Sequence, residues 1–294
     1  MEKVIVWGCG KLGRRIFKGV EDLLKYEIVA YTDICEKFWG GVIYGTPVIS
    51  PEEIDRIEFD KILVAIADFE AMIKVKNLLL NMGIVEEKVS LVSCETEFLD
   101  ALMDQRMCWI RDFARYVEAE KIEGNVAECG VFRGDSAKFI NKFFKNRELY
   151  LFDTFEGFAD EDIKKEIILG NESYNQSIFT SKELFDRTSI DLVLTKMTYP
   201  NKVRIHKGYF PDSAEGIEET FCFVNLDMDL YTPMLNGLRF FWDKLSEGGG
   251  ILLHDYFHQC LPGVKKAVND FEQERGICVK KVPIGDSCSI FLLK

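Results

Sequence analysis

Two stretches of apolar runs broken by polar, glycine-bearing turns divide the chain, with a helical pattern between them. The first opens on VIVWGCGKLG, Val4 to Gly13, an apolar run that meets Gly8, Gly10 and Gly13 and reads as strand, tight turn and helix start. YEIVAYTD reads as a second strand ending at Asp33, KILVAIAD as a third and VSLVS as a fourth. The apolar-periodic helix FEAMIKVKNLLLNMG lies between the last two and closes at Gly83. From about Glu95 to Ile122 the residues Leu99, Leu102, Met103, Trp109, Phe113 and Tyr116 fall near a helical period. A second alternation follows, with NVAECG, LYLFDTF, KVRIHKG, FCFVNLD and GGILLHDY as strands, most of them continuous apolar runs of the kind buried on both faces. CVKKVPI, a Gly-Asp turn and SCSIFLLK close the chain as a hairpin.

Strands alternating with helices predict an α/β protein built on parallel sheets. The pattern places two Rossmann-like domains in series: a small one over residues 1–94, a helical connector over 95–122, and a second over 123–294 whose last strand is antiparallel. A chain of 294 residues suits two cores better than one. The gap between Phe155 and Lys202 is long for such a fold. Its segment GNESYNQSIFTSKE reads either as a mobile lid over a substrate or as a surface excursion.

Composition narrows the partners. A formal charge of −12, with Lys and Arg scattered along the chain, disfavours nucleic acid and favours a small or uncharged substrate. No apolar run approaches the ~20 residues of a membrane span, and the amino terminus lacks the pattern of a signal peptide, so the expected location is the cytoplasm. Nine cysteines without a CxxC pair argue against a disulfide framework and against a cysteine zinc site. The oligomeric state is open, a homo-oligomer included.

VAECGVFRGDS follows a strand and opens a helix, so Gly130 and Gly134 let backbone approach a ligand where N–H groups face outward. Glu128 and Asp153 sit at or near the ends of the first two strands of the second sheet, where open α/β sheets bind ligands. An acid in the position of Asp153 suits the two hydroxyls of a ribose; its alternative is a turn or capping residue. NVAECGVFRGDSAKFI, LYLFDTFEGF, VRIHKGYFPDS, VNLDMDLYTPM and GGGILLHDYFHQCLPGVKKAV, taken in order, resemble the macrocin O-methyltransferase family, sugar methyltransferases that use S-adenosylmethionine (SAM). The resemblance covers roughly Asn125 to Lys294. It implies a seven-stranded SAM-dependent methyltransferase fold, with Glu128 and Gly130 bordering the methionine part of SAM and Asp153 holding the ribose.

Asp227 and Asp229, two apart, fall on one face of an extended strand, and Asp255 ends the next strand. The three carboxylates are expected to converge, with His254 close by. Such a cluster repels itself unless a proton or a cation intervenes, and oxygen donors favour magnesium. A cation there would bind the acceptor hydroxyl and lower its pKa. Members of the resembled family commonly carry two adjacent aspartates where this chain has His254 and Asp255. His254 is thus a candidate nitrogen ligand for a softer metal or the general base, with His258 and His206 as other candidates for the base. The bland reading has Asp227 and Asp229 capping a helix and Asp255 merely touching SAM.

The amino-terminal Gly8, Gly10, Gly13 and Asp33 have dinucleotide-fingerprint spacing, yet the first hundred residues contain no histidine and no Tyr-xxx-Lys pair. TDICEKFWGGVIYGTPVISPEEI is similar to small Rossmann-like domains of sugar-modifying enzymes. Nucleotide or nucleotide-sugar recognition, NAD(P) binding and purely structural glycines all remain open. The expected function is SAM-dependent methylation of a sugar hydroxyl, on a nucleotide sugar, glycan or glycosylated metabolite, assisted by a divalent cation. The alternatives are an NAD(P)-dependent sugar oxidoreductase and a non-catalytic nucleotide-sugar binding protein.

Overall fold

The computed structural model describes residues 2–14, 26–66, 68–92, 103–169, 188–259 and 261–294. GNESYNQSIFTSKE lies outside these residues. So do Leu99, Leu102 and most of the helix expected after Gly13. The chain divides into two compact units, Met1–Met103 and Asp104–Lys294.

In the first unit, strands β1 (Glu2–Trp7), β2 (Tyr26–Thr32), β3 (Val42–Ile43), β4 (Thr46–Ile49), β5 (Lys61–Val64) and β6 (Val89–Leu91) form one sheet in the order β3-β4-β2-β1-β5-β6. Helix α1 (Phe69–Asn81) crosses from β5 to β6; the Asp68 carboxylate caps it by accepting the Ala71 N–H at 2.8 Å. Val4, Val6, Tyr31 and Leu63 are buried in one core cluster, Ile5, Trp7, Ile62 and Leu79 in another, as alternation along strands covered on two faces requires. The short hairpin β3–β4 is antiparallel and was not among the expected strands. Its two central residues, Tyr44 and Gly45, have φ of 50° and 86°, the left-handed pair of a tight hairpin turn.

The second unit opens with α2 (Gln105–Ala119), capped by Asp104, whose carboxylate accepts the Met107 N–H at 2.9 Å. It is followed by β7 (Asn125–Cys129), α3 (Ala137–Phe143), β8 (Leu149–Asp153), α4 (Asp160–Ile168), α5 (Ile190–Thr195), β9 (Val203–Lys207), β10 (Phe221–Leu226), α6 (Tyr231–Trp242), β11 (Leu245–Leu253), α7 (Pro262–Arg275), β12 (Lys280–Pro283) and β13 (Ile290–Leu293). The sheet has seven strands in the order β12-β13-β11-β10-β7-β8-β9. The closing hairpin is present, and β13 runs antiparallel to both of its neighbours. Helices α4 and α5 occupy part of the stretch between Phe155 and Lys202 that the sequence pattern left without elements.

Every residue of β10 is buried, and its rings continue into a large aromatic core. Helix α2, expected as a connector, belongs to that packing. The Phe113 ring lies 4.7 Å from Phe291 and 5.7 Å from Phe223, and Trp109 stacks on Phe113 at 5.2 Å. Each such ring removed from water contributes roughly 2–3 kcal/mol. Among the described residues no helix is long and apolar enough to cross a membrane.

Candidate active site

In the second sheet the chain reverses direction of progression between β7 and β10, which pair in parallel. Loops leaving a sheet at such a point diverge and leave a crevice. A cavity of about 320 Å³ opens there, lined by the glycine turn after β7, the end of β8, the loop after β9 and residues just beyond β10. Gly130 is required by packing: at φ 83°, a Cβ on it would overlap the Asp227 carbonyl oxygen. Gly134, at φ 73°, has its missing Cβ position against the Val193 side chain at 3.1 Å.

Asp153 lines the cavity and braces the turn. Its Oδ2 accepts the N–H groups of Val131 and Phe132 at 2.7 and 2.8 Å, and its Oδ1 accepts that of Phe155 at 2.6 Å. Phe132 and Phe155 both have left-handed backbones, φ 48° and 54°, so one carboxylate holds two strained residues in place. A carboxylate has about four acceptor directions, which leaves one for a ribose hydroxyl. Glu128 lies behind the wall, 1% exposed; its Oε1 accepts from Asn225 Nδ2 at 2.7 Å, and its Oε2 has no partner. Burial pushes its pKa up to about 8, against the opposing Asn225 hydrogen bond.

The three aspartates converge, but not as an extended strand would bring them together. β10 ends at Leu226; Asp227 and Asp229 lie in the turn beyond, and Asp229 has a left-handed φ of 58°. Asp255 also sits past its strand with a left-handed φ, 59°. Carboxylate oxygens of Asp227, Asp229 and Asp255 lie within 4.8 Å of one another. His254 Nδ1 is shared between Asp255 Oδ2 at 2.8 Å and Asp227 Oδ1 at 3.0 Å. A residue without any local sequence signal completes the cluster. Arg106, from the first turn of α2, donates through Nη1 to Asp227 Oδ2 and through Nη2 to Ser136 Oγ, both at 2.9 Å.

These contacts sort the charges. Burial alone would raise the Asp227 carboxyl, but the Arg106 charge and the His254 hydrogen bond hold it well below the usual carboxylate range. Burial and the facing Asp227 and Asp255 push Asp229 well above that range. Burial opposes protonation of His254, yet its hydrogen bonds to Asp227 and Asp255 raise it to about 10. Burial opposes ionisation of Asp255, but the His254 hydrogen bond and charge and the Cys288 hydrogen bond together leave its pKa lowered. His206 is elsewhere: its ring stacks on Phe152 at 4.9 Å and does not line the cavity. The His258 N–H is 3.0 Å from the Asp255 carbonyl oxygen, a turn contact.

The family profile of the macrocin O-methyltransferases (TylF) matches residues 100–292. The chain belongs to the macrocin O-methyltransferase family. The match takes in α2 and Arg106 with the sheet, and a separate profile, C2185-like N-terminal, matches residues 1–90. Among curated members, the chain is 26% identical over 178 residues to mycinamicin III 3″-O-methyltransferase of Micromonospora griseorubida, covering 55% of this chain and 66% of that protein. It is 24% identical over 176 residues to 8-demethyl-8-(2,3-dimethoxy-alpha-L-rhamnosyl)-tetracenomycin-C 4′-O-methyltransferase of Streptomyces olivaceus, covering 55% and 62%. The chain thus spans just under two thirds of the length of these relatives. The O-methyltransferase NovP shares the fold, with a TM-score of 0.54 and 21% identity over 65% of this chain and 79% of that one.

In the first unit, Asp33 follows the last residue of β2, beside the glycine turn. Its Oδ2 accepts the Cys9 N–H at 2.8 Å and its Oδ1 the Cys35 N–H at 3.0 Å. A Cβ on Gly8 or Gly13 would collide with backbone, whereas one on Gly10 would meet no atom of the described residues within 4 Å. Two of the three glycines are thus explained by packing.

Proposed function

We propose that this protein is a SAM-dependent O-methyltransferase acting on a sugar hydroxyl, with a divalent cation at the aspartate cluster. The observation that carries the reading is the cavity at the β7–β10 switch point opening directly onto Asp227 and Asp229, in a chain of this family. The names of the relatives support the substrate class: one methylates the 4′ oxygen of a rhamnosyl-bearing compound. Gly130 and Asp153 at the cavity and Gly134 in the same turn are assigned to SAM, with Asp153 fixing the turn on which SAM would rest; Glu128, expected beside the methionine part, lies behind the wall and would act only through its neighbours.

The donor set fits a hard cation. Asp227, Asp229 and Asp255 offer converging oxygens, and a cation among them would relieve the mutual repulsion of the carboxylates. When bound, such an ion would polarise the acceptor hydroxyl and lower its pKa. The chain's own groups do the rest. Arg106 and His254 orient Asp227 at the cavity mouth. Val131, Phe158, Phe210 and Met228 form an apolar part of the cavity wall that would exclude water from a bound SAM. The Asp227 and Asp255 contacts at Nδ1 favour the protonated form of His254, which has no lone pair for the hydroxyl proton, so acting as the base would require His254 first to give its own proton to solvent.

For the first unit we propose nucleotide or nucleotide-sugar recognition at the glycine turn, where Gly10 meets no atom of the described residues at its Cβ position. Calorimetry with SAM, followed by mass spectrometry for the gain of one methyl across a panel of sugars and nucleotide sugars, tests the assignment. SAM binding with a methylated product is expected. NAD binding without SAM binding would install the oxidoreductase reading instead.

A further inference from the structure

Beside the aspartates lies a second donor set of different chemistry. His254, Asp255 and Cys288 each offer a ligand atom, and these atoms lie within 4.8 Å of one another. Asp255 is the hinge between the two sets: its Oδ2 faces His254 Nδ1 at 2.8 Å, and its Oδ1 accepts from Cys288 Sγ at 3.1 Å. The thiol is held from two sides. Asp286 accepts the backbone N–H groups of Cys288 and Ser289 at 3.0 and 2.6 Å, and the Phe257 N–H reaches the Cys288 carbonyl oxygen at 3.0 Å. The closing hairpin and the loop after β11 are thereby tied together at the sulfur.

We propose that His254, Asp255 and Cys288 form a mixed nitrogen, oxygen and sulfur site that selects a transition-metal ion of the zinc or cobalt class over magnesium. The inference rests on the cation reading above and deepens it. Zinc-class ligands stand about 2.0–2.3 Å from the ion, which places neighbouring donor atoms roughly 3.3–3.8 Å apart. The contacts of 2.8 and 3.1 Å and the 4.8 Å span of the set lie on either side of that spacing, so shifts of a few tenths of an ångström to about one would seat an ion. Carboxylates alone favour magnesium, calcium or manganese; an imidazole and a thiolate shift the preference to softer ions. On binding, the Cys288 S–H bond and the His254 Nδ1–H bond give way to bonds to the metal, and two protons pass to solvent.

Titration of the metal-stripped, full-length protein with Co²⁺, followed by absorption spectroscopy, reads the sulfur directly. One equivalent is expected to bind with an intense thiolate-to-cobalt band in the near ultraviolet, to be displaced by Zn²⁺, and to resist a large excess of Mg²⁺. Cys288→Ser should abolish that band and weaken Zn²⁺ binding roughly tenfold to a hundredfold while leaving Mg²⁺ binding unchanged. The wild-type spectrum does not depend on how well the variant folds. Cobalt bound without the band, or the same band in Cys288→Ser, overturns the inference; Mg²⁺ binding in that case leaves the all-carboxylate reading standing. Failure of Co²⁺, Zn²⁺ and Mg²⁺ alike to bind removes both.

Discussion

Asp227 is held by two cationic side chains, and one of them comes from far away in the chain. Arg106 is 121 positions distant from it, with 15% of its side chain exposed, and no spacing rule connects the two. Breaking such a pair leaves a carboxylate facing other carboxylates with only His254 beside it. Arg106→Ala is expected to cost on the order of 3 kcal/mol of stability and to lower kcat/KM for methylation, with Arg106→Lys recovering part of each. Denaturant titration and initial rates would check this, and unchanged values in Arg106→Ala would refute it. Asp227, Asp229 and Asp255 were legible because consecutive strands of a parallel sheet are usually neighbours. What the sequence did not show was the local conformation, since left-handed backbone at an aspartate has no marker of the kind a glycine supplies. Glu128 was legible as a strand-end acid but not as one sealed from solvent. Burial pushes its pKa up to about 8, against about 4.3 for a glutamate in an unfolded chain. The folded state therefore keeps a proton that the unfolded state gives up; this stabilisation is full below the unfolded pKa and is lost as pH rises through 8. Glu128→Gln should flatten that dependence, gaining stability relative to wild type by a few kcal/mol from about pH 5 to about pH 9. Parallel curves for the two proteins would contradict the assignment.

At the scale of elements, one side chain serves two helices. Glu166, 1% exposed at the end of α4, accepts the Tyr231 N–H at the start of α6 through Oε2 at 2.9 Å, and the Gly263 N–H at the start of α7 through Oε1 at 3.1 Å. The two donors are otherwise orphans of helix starts, and a carboxylate is favoured at the positive end of each. Burial raises its pKa even so, against both backbone bonds. Glu166→Ala leaves two buried N–H groups without an acceptor, so a loss of about 2–4 kcal/mol is expected in urea unfolding; a loss under about 0.5 kcal/mol would show that water replaces it. Gly263→Ala should destabilise as well, because its Cβ would overlap that carboxylate. No sequence motif announces such a bridge, since its members lie on three elements. The long apolar runs of β7, β8, β10 and β11 were legible because burial on both faces favours apolar residues, the hydrogen-bonded Glu128 and Asn225 being a paired polar exception. The β3–β4 hairpin was not, because strands of two and four residues are too short for an alternation, and Pro47 interrupts the second. Its mark was the Tyr44-Gly45 turn.

Across the whole molecule the same device appears twice. In each unit an acid at the end of the second strand takes a backbone N–H of the glycine turn on one oxygen and, on the other, the N–H of the residue two positions further along: Asp33 with Cys9 and Cys35, Asp153 with Val131, Phe132 and Phe155. Each acid is thus a structural brace first, and in each unit the brace sits on that unit's own core. In the second unit the brace also lines a cavity that reaches two members of an acidic cluster. The two braces should therefore separate in function. Asp153→Ala removes three hydrogen bonds to the turn, two of them from residues in left-handed conformations, and is expected to weaken SAM binding at least tenfold, a cost of about 1.4 kcal/mol that one lost charged acceptor already supplies. Asp33→Ala should lower the thermal stability of the first unit by a comparable amount, yet leave the dissociation constant for SAM within about twofold. Calorimetry with SAM and differential scanning calorimetry on the full-length variants measure both. If Asp33→Ala weakened SAM binding as strongly as Asp153→Ala, the assignment of SAM to the second glycine turn alone would have to be abandoned.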